Sequence, residues 1–357
     1  MVTRPPTTRQ IADACGCNQS TVSHALRGNP KISQEKRDHI RAIAEKMGWR
    51  PNPLASAYMA HLRSVRPPGH QANLAFLVAN RTSSQISAQG GHLQRHYKGA
   101  LQRANELGYA LEVIWLHQPH LTARRLNTIL LNRNVCGLIV PGITDPSEIF
   151  AQLNWHQFAV VGLGFSLRSP ELHRVGVHTL HGFDEVLSKM FQLGYRRIAV
   201  VVSQSYDERV NRGVLSPTYY AQKHLPFGSY LQTYVFPAPI EQVKPSIEAW
   251  LREHKPDIVL GEDIVWRVIR EMHWRVPQDI AFASVDASPD FPDIGGFNQR
   301  HELHGSVAVD MVIGQLLQNE RGIPTVPRSI LIEGAWIDGI SAPPKETIPK
   351  LKRSANL

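Results

Sequence analysis

The sequence predicts a small, entirely helical domain followed by a larger α/β region of two lobes, each built on a doubly wound parallel sheet. Three observations support this fold class. At 357 residues the chain is too long for one compact core, since a domain takes about 150 residues. Its first residues are basic and contain apolar side chains at helical spacing. From residue 73 onward, short apolar runs alternate with longer amphipathic stretches, a rhythm typical of βαβ units.

The charge distribution separates the first segment of the chain from the remainder. Residues 1–66 contain 11 of the 39 Lys and Arg but only 4 of the 30 Asp and Glu, and so carry +7 of the formal net charge of +9. The other residues are nearly neutral. A concentrated cationic surface suits a polyphosphate partner, although composition alone is equally compatible with a solvated basic surface.

The composition disfavours several classes of protein. No apolar run approaches the roughly 18 residues of a membrane span, and no apolar signal segment opens the chain. We therefore expect a cytoplasmic protein with no membrane partner. The three cysteines, Cys15, Cys17 and Cys136, lack His or Cys partners at zinc-like spacing. We accordingly expect no disulfide, no metal site and no cofactor.

Three predicted helices in the basic segment are joined by glycine turns. Thr8, Asn18 and Ser33 are each placed to cap one helix, and Gly16 and Gly28 to end the first two. The predicted inner positions are Ile11, Ala12, Ala14, Cys15, Val22, Ala25, Leu26, Ile40, Ile43, Ala44 and Met47. This spacing is that of a helix-turn-helix, whose second helix enters the major groove of DNA.

Residues 8–30 (TRQIADACGCNQSTVSHALRGNP) and 48–53 (GWRPNP) resemble the head of the lactose-repressor and galactose-repressor (LacI/GalR) family. The resemblance implies that Gln19, Ser20 and His24 read base edges. It implies phosphate contacts for Thr8, Asn18, Thr21, Ser23 and Ser33. Gln pairs bidentately with adenine, and hydroxyls and capped helix ends donate to phosphate oxygens. His24 replaces an Arg that is usual in the family, so we expect altered guanine reading and a non-standard half-site.

Residues 51–62 (PNPLASAYMAHL) resemble the hinge helix of the same family, which contacts the minor groove. The matching contact residues are Leu54, Ala55, Tyr58 and Met59. Tyr58 stands where the family has a Leu that wedges between base pairs, a role that needs a bulky apolar side chain. An amphipathic linker is the alternative interpretation. Residues 63–69 (RSVRPPG) mark the boundary to the next domain.

Three later segments resemble the regulatory domain of the family, which has a periplasmic-binding-protein-like fold. They are residues 194–201 (GYRRIAVV), 277–286 (PQDIAFASVD) and 336–339 (WIDG). We assign 1–52 to the helix-turn-helix domain, 53–70 to the hinge helix and linker, 71–340 to the two-lobed effector-binding and dimerisation domain, and 341–357 to a disordered tail. We assign about 71–174 and 300–328 to the amino-terminal lobe, and about 175–299 and 329–340 to the carboxy-terminal lobe.

The two lobes are expected to close over a ligand at the carboxyl ends of their strands. There are six candidate effector-binding residues: the family signatures place Glu262, Asp286 and Gln299 there, Arg209 and Arg212 match a family arginine, and Phe236 is a candidate for stacking on a sugar ring. Carboxylates, amides and Arg suit the hydroxyls of a sugar, and an aromatic ring stacks on a pyranose face. The two arginines are rival matches to one family position. For Asp286 and Gln299, hydrogen bonding to loop backbone is the alternative role.

The resemblance as a whole implies a sequence-specific DNA-binding transcriptional regulator, a repressor in the first instance. It would act as a homodimer on a palindromic operator under the control of a small-molecule effector, with sugar as the first candidate. An architectural or effector-independent DNA-binding protein is the alternative. An enzyme on a Rossmann-like scaffold is a distant third: Gly162 and Gly164 follow a strand but lack the third glycine of a dinucleotide fingerprint, and we find no catalytic motif.

Overall fold

The computed structural model describes residues 6–26, 32–49, 72–79, 91–118, 120–142, 148–225, 227–237 and 242–347. The four predicted hinge residues, Leu54, Ala55, Tyr58 and Met59, lie outside these ranges. In the parts of the chain that the structure describes, no helix combines the length and the apolar composition that crossing a membrane requires.

The first three helices form the predicted helix-turn-helix head. They are α1 (Thr8–Cys15), α2 (Gln19–Leu26) and α3 (Gln34–Lys46). Their shared core consists of Ile11, Ala12, Val22, Ala25, Leu26, Ile40 and Ala44. Because these side chains recur at helical spacing, each helix buries one apolar face against the other two.

Three details of the head differ from the sequence prediction. Thr7, not Thr8, caps α1: its hydroxyl accepts the backbone N–H of Gln10, whose side chain accepts the backbone N–H of Thr7. This capping box requires a Gln or Glu three residues after the cap, which selects Thr7. Met47 is 37% exposed, because the core-facing positions of α3 run through Ile40 and Ala44 and end before it. Ala14 is exposed as well.

Strands and helices alternate through the remainder, as predicted. In chain order they are β1 (Asn73–Val78), α4 (His92–Glu106), β2 (Ala110–Trp115), α5 (Ala123–Asn132), β3 (Val135–Val140), α6 (Glu148–Ala151), β4 (Ala159–Leu163), β5 (His173–Val177), α7 (Thr179–Gln192), β6 (Arg197–Ser203), α8 (Gln204–Arg209), α9 (Leu215–Gln222), β7 (Tyr230–Phe236), α10 (Lys244–His254), β8 (Ile258–Gly261), α11 (Asp263–Glu271), β9 (Ala281–Ser284), β10 (Gly296–Asn298), α12 (His301–Gln318), β11 (Ser329–Ile332) and β12 (Ala335–Ile337).

The strands form two sheets of six, one in each lobe. The first has the order β2-β1-β3-β4-β5-β11 and is parallel throughout. The second has the order β7-β6-β8-β9-β10-β12, in which only β12 runs antiparallel to its neighbour. Helices cover both faces, which explains why central strands read as continuous apolar runs. The predicted two-lobed α/β fold is confirmed.

The lobe boundaries differ from those predicted. We placed the crossings after residues 174 and 328, but β5 and β11 pair with each other at the edge of the first sheet. The chain therefore changes lobe after Val177 and again after Ile332. An apolar run identifies a strand, but the sheet that it joins depends on pairing with residues far away in sequence.

The predicted disordered tail is wrong for its first residues. Ser341 and Ala342 are each 2% exposed. The Ser341 hydroxyl donates to the carbonyl of Phe282, and the hydroxyl of Tyr195 donates to the carbonyl of Pro343. These bonds attach the segment to the second lobe. Residues 348–357 of the predicted tail lie outside the described ranges.

Helices α4 and α12 pack against each other with their backbones in contact, on one face of the first sheet. A Cβ atom at Gly305 would lie 2.0 Å from the carbonyl oxygen of His96, and one at Gly99 would lie 1.8 Å from the carbonyl oxygen of Glu302. Only glycine permits so close an approach at these two positions. The crossing brings the side chains at the start of α12 against those on α4.

Candidate functional site

A cavity of about 530 Å³ lies between the two lobes. Its walls include the amino-terminal turns of α4 and α12 from the first lobe, and α8 and the segments after β9 and β10 from the second. It therefore occupies the carboxyl ends of the strands, where open α/β sheets leave a crevice for ligands. The volume falls in the range of about 300–1,000 Å³ that is usual for small-molecule sites.

Three of the six predicted effector-binding residues line this cavity: Arg209, Asp286 and Gln299. The guanidinium of Arg209, at the end of α8, lies 5.6 Å above the ring of Tyr206. The amide of Gln299 donates to the Tyr206 hydroxyl at 2.7 Å and to the carbonyl of Val285 at 3.0 Å. Gln299 thus also has the backbone-satisfying role that we considered as its alternative.

The other three do not line the cavity. Arg212 is exposed, with a φ of 59° just beyond α8. Phe236, the last residue of β7, is fully buried. Its ring packs in the core between the second sheet and the helices that cover that sheet. The carboxylate of Glu262 accepts the backbone N–H of Ser203 at 2.5 Å, which directs it to the junction between β6 and α8. Strand ends were correctly located, but side-chain direction at those ends depends on neighbouring packing.

Four histidines at one end of the cavity were not identified from the sequence. His92 and His96 lie one turn apart on α4, and His301 and His304 lie one turn apart on α12. The signal that could have found them is their spacing, i to i+4 and i to i+3, which places each pair on one helix face. Their rings pack edge to face or stacked, with centroids 4.6 Å apart for His96 and His301 and 5.5 Å apart for His96 and His304.

Burial controls the charge of three of these rings, those of His92, His96 and His304. Burial, followed by the nearby His301, lowers the pKa of His92 to about 4 and the pKa of His304 to about 3. The same two causes hold the pKa of His96 well below its usual value. At neutral pH these three rings are therefore uncharged imidazoles. Although burial opposes it, His301 lowers the pKa of the Asp286 carboxyl, which remains a carboxylate.

Two polar contacts beside the histidines join the lobes. His301 Nε2 lies 2.9 Å from both carboxylate oxygens of Asp286, which follows β9. Arg95 of α4, only 2% exposed, donates to the side chain of Asn298 in β10 at 2.9 Å and pairs with Glu302 at 3.1 Å. Both contacts between the lobes, His301 with Asp286 and Arg95 with Asn298, therefore lie beside this end of the cavity.

The head presents a polar face on α2. The three predicted base-reading residues, Gln19, Ser20 and His24, are all exposed. The amide of Gln19 donates to the hydroxyl of Thr8 at 3.0 Å, so one predicted base contact and one predicted phosphate contact are already adjacent. The other predicted phosphate contacts are exposed or half-buried. Asn18, Thr21 and Ser23 lie just before α2 and along it, and Ser33 caps α3.

Comparison with known proteins gives two family matches. Residues 7–52 match the model "Bacterial regulatory proteins, lacI family", and residues 188–341 match "Periplasmic binding protein-like domain". The chain is 22% identical to the HTH-type transcriptional regulator CelR of Thermobifida fusca over 343 residues, 89% of this chain and 95% of that protein. Against other curated regulators, at 20–24% identity, it spans only about half of their length, 52–58%.

Solved structures show the same fold. The complex of the transcriptional regulator CelR with cellobiose has a TM-score of 0.59 at 18% identity, and covers 94% of this chain and 99% of its own. The lac repressor dimer bound to operator and the anti-inducer ONPF has a TM-score of 0.54 at 17% identity. The match covers 95% of this chain and 99% of the lac repressor chain. Residues 7–52 therefore carry the helix-turn-helix head of the lacI family of bacterial regulatory proteins, and residues 188–341 carry a periplasmic-binding-protein-like domain.

Proposed function

We propose that this chain is a sequence-specific DNA-binding transcriptional regulator whose affinity for a palindromic operator is controlled by a small carbohydrate between its lobes. One observation carries the proposal: a basic head with an exposed polar recognition face precedes two lobes that enclose a polar cavity of about 530 Å³. Its site of action is the cytoplasm, where the DNA is.

The head supplies the DNA-binding half of this function. Gln19, Ser20 and His24 face outward from α2, which is the geometry of a recognition helix that enters the major groove. The surrounding cations add a sequence-independent attraction to phosphates. One head of this size reads only a few base pairs, so we propose that two chains bind one palindrome as a homodimer. The solved lac repressor is likewise a dimer on its operator.

The cavity supplies the regulatory half. Arg209, Asp286 and Gln299 provide donors and acceptors for hydroxyl groups, and the cavity is large enough for one or two sugar rings. The related CelR structure holds cellobiose, which makes this disaccharide the first probe for the present chain. Closure of the lobes around a sugar would change how the two heads are presented, and any such coupling must be reciprocal.

The experiment that tests both halves is a selection of bound duplexes from a random pool, with and without cellobiose and a panel of other sugars. We expect enrichment of a palindromic motif, and a change in its enrichment when the correct sugar is present. Uniform enrichment in every condition would contradict the proposal and favour an architectural DNA-binding protein.

The two rival arginines give a matched test of the cavity. We expect Arg209→Ala to weaken binding of the active sugar by about 10- to 150-fold, since a hydrogen bond from a charged donor contributes about 1.5–3 kcal/mol. Arg212→Ala should leave sugar affinity unchanged, because Arg212 is exposed and does not line the cavity. Calorimetric titration of both variants measures the difference. Equal affinities for the two variants would remove Arg209 from the site.

A further inference from the structure

We propose that His96, His301 and His304 bind one divalent transition-metal ion, with zinc(II) as the first candidate, in the wall of the inter-lobe cavity. The ion would leave its fourth coordination position open to an oxygen atom of a ligand in the cavity. The metal site stands on side-chain geometry alone, whereas its influence on DNA binding rests on the proposed function above.

The three rings bring one nitrogen each into close proximity. Nε2 of His96 lies 3.0 Å from Nδ1 of His301 and 3.3 Å from Nδ1 of His304. One ring nitrogen from each residue lies within 4.8 Å of one from each of the others. At zinc–nitrogen distances of about 2.0–2.1 Å, the ligand atoms of a tetrahedral site are about 3.3 Å apart. The cluster therefore needs little adjustment to enclose a zinc ion.

The protons of these rings also favour a cation at this point. The Asp286 carboxylate accepts from Nε2 of His301, so in the neutral ring Nδ1 is an unprotonated acceptor. A single N–H, from His96, would then serve two acceptors. Nδ1 of His96 and Nε2 of His304 have no hydrogen-bond partner among the described residues. With zinc at the centre, each of the three inner lone pairs would face the cation instead of another ring nitrogen.

Asp286 completes the arrangement from the opposite lobe. Histidine ligands commonly donate their second N–H to a carboxylate, which orients the ring and raises its basicity. His301 makes this bond, at 2.9 Å, to a residue of the second lobe, whereas all three ligands lie on first-lobe helices. Metal binding at Nδ1 makes Nε2–H a stronger donor, so the ion would strengthen a bond between the lobes.

A second cluster provides a contrast and a control. His178 and His181 each donate from Nδ1 to Glu333, at 2.7 and 3.1 Å. All three side chains are well exposed, by 36–58%, and the carboxylate accounts for the two imidazole donors. Hydrogen bonds and ion pairs at the surface therefore account for the cluster of His178, His181 and Glu333. They do not account for the buried cluster, in which ring nitrogens of His96 and His304 have no partner among the described residues.

The test uses untagged full-length chain that has been stripped with a chelator and then titrated with Zn²⁺ and, separately, Co²⁺. We expect one tightly bound zinc per chain and the intense visible absorption of tetrahedral cobalt. His304→Leu should abolish both signals, and Asp286→Asn should lower zinc affinity by about 10- to 100-fold. The His178→Ala/His181→Ala double variant should retain full stoichiometry.

If His304→Leu does not fold, the titration of the wild-type chain still tests the proposal. A wild-type chain that binds no stoichiometric zinc would overturn it. So would a site that is lost in the His178→Ala/His181→Ala variant. Duplex selection with chelated and with zinc-loaded protein separates the two proposals. An enriched motif without zinc binding ends only the metal proposal, whereas zinc binding without any preferred duplex ends only the proposed function.

Discussion

Replacement of Gly305 by alanine is expected to lower the free energy of unfolding by about 3 kcal/mol or more, the upper end of what overpacking costs. The added Cβ would lie 2.0 Å from the carbonyl oxygen of His96 and 2.8 Å from the backbone nitrogen of Ala100. Because both are backbone atoms of α4, no side chain can rotate to relieve the clash, so the two helices must separate. Denaturant unfolding monitored by circular dichroism measures the loss.

Gly314 of the same helix is the matched control. No atom lies within 4 Å of a Cβ placed there, so Gly314→Ala should stabilise the chain by about 0.5–1 kcal/mol through helix propensity alone. If the two alanine variants unfolded at the same denaturant concentration, the close contact between α4 and α12 would be refuted.

Gly305→Ala should also weaken zinc binding, because the same crossing sets His96 against His301 and His304.

Replacement of Gln19 by alanine is expected to reduce affinity for the selected operator by about 1–3 kcal/mol, or about 5- to 150-fold, the value of one bidentate base contact. Gln19 is exposed on α2 and must exchange its bond to Thr8 for a bond to a base. Its loss should change the ranking of operator variants. His24→Ala should change that ranking at a different base pair.

Thr21→Ala provides the comparison for both variants, since Thr21 is predicted to meet a phosphate and a phosphate contact carries no sequence information. It should weaken all duplexes by a similar factor. Competition binding across a panel of operator variants, at one fixed salt concentration, distinguishes these outcomes. A uniform loss for Gln19→Ala would assign that residue to the backbone instead of the bases.

Features with local causes could be predicted from the sequence. The head follows from apolar spacing within single helices and from glycine at their ends, and the alternating strands and helices follow from runs of adjacent residues. Arg209, Asp286 and Gln299 were predicted at the cavity from matches to family signatures in contiguous sequence, and the cavity itself was predicted where parallel strands end at a common edge. The lacI-type head and the periplasmic-binding-protein-like domain were likewise predicted from contiguous residues and are confirmed by matches at 7–52 and 188–341.

Features that depend on distant residues were decided by the tertiary structure. Because β5 pairs with β11, the lobe boundaries predicted after residues 174 and 328 lie instead after Val177 and Ile332. Packing around Phe236 determines that its ring lies in the core. The contact between His96 and His304 could not be predicted, because 208 residues separate them in sequence. Periodicity reports only which face of an element is buried, whereas the meeting of two such faces is set by the packing of the whole lobe.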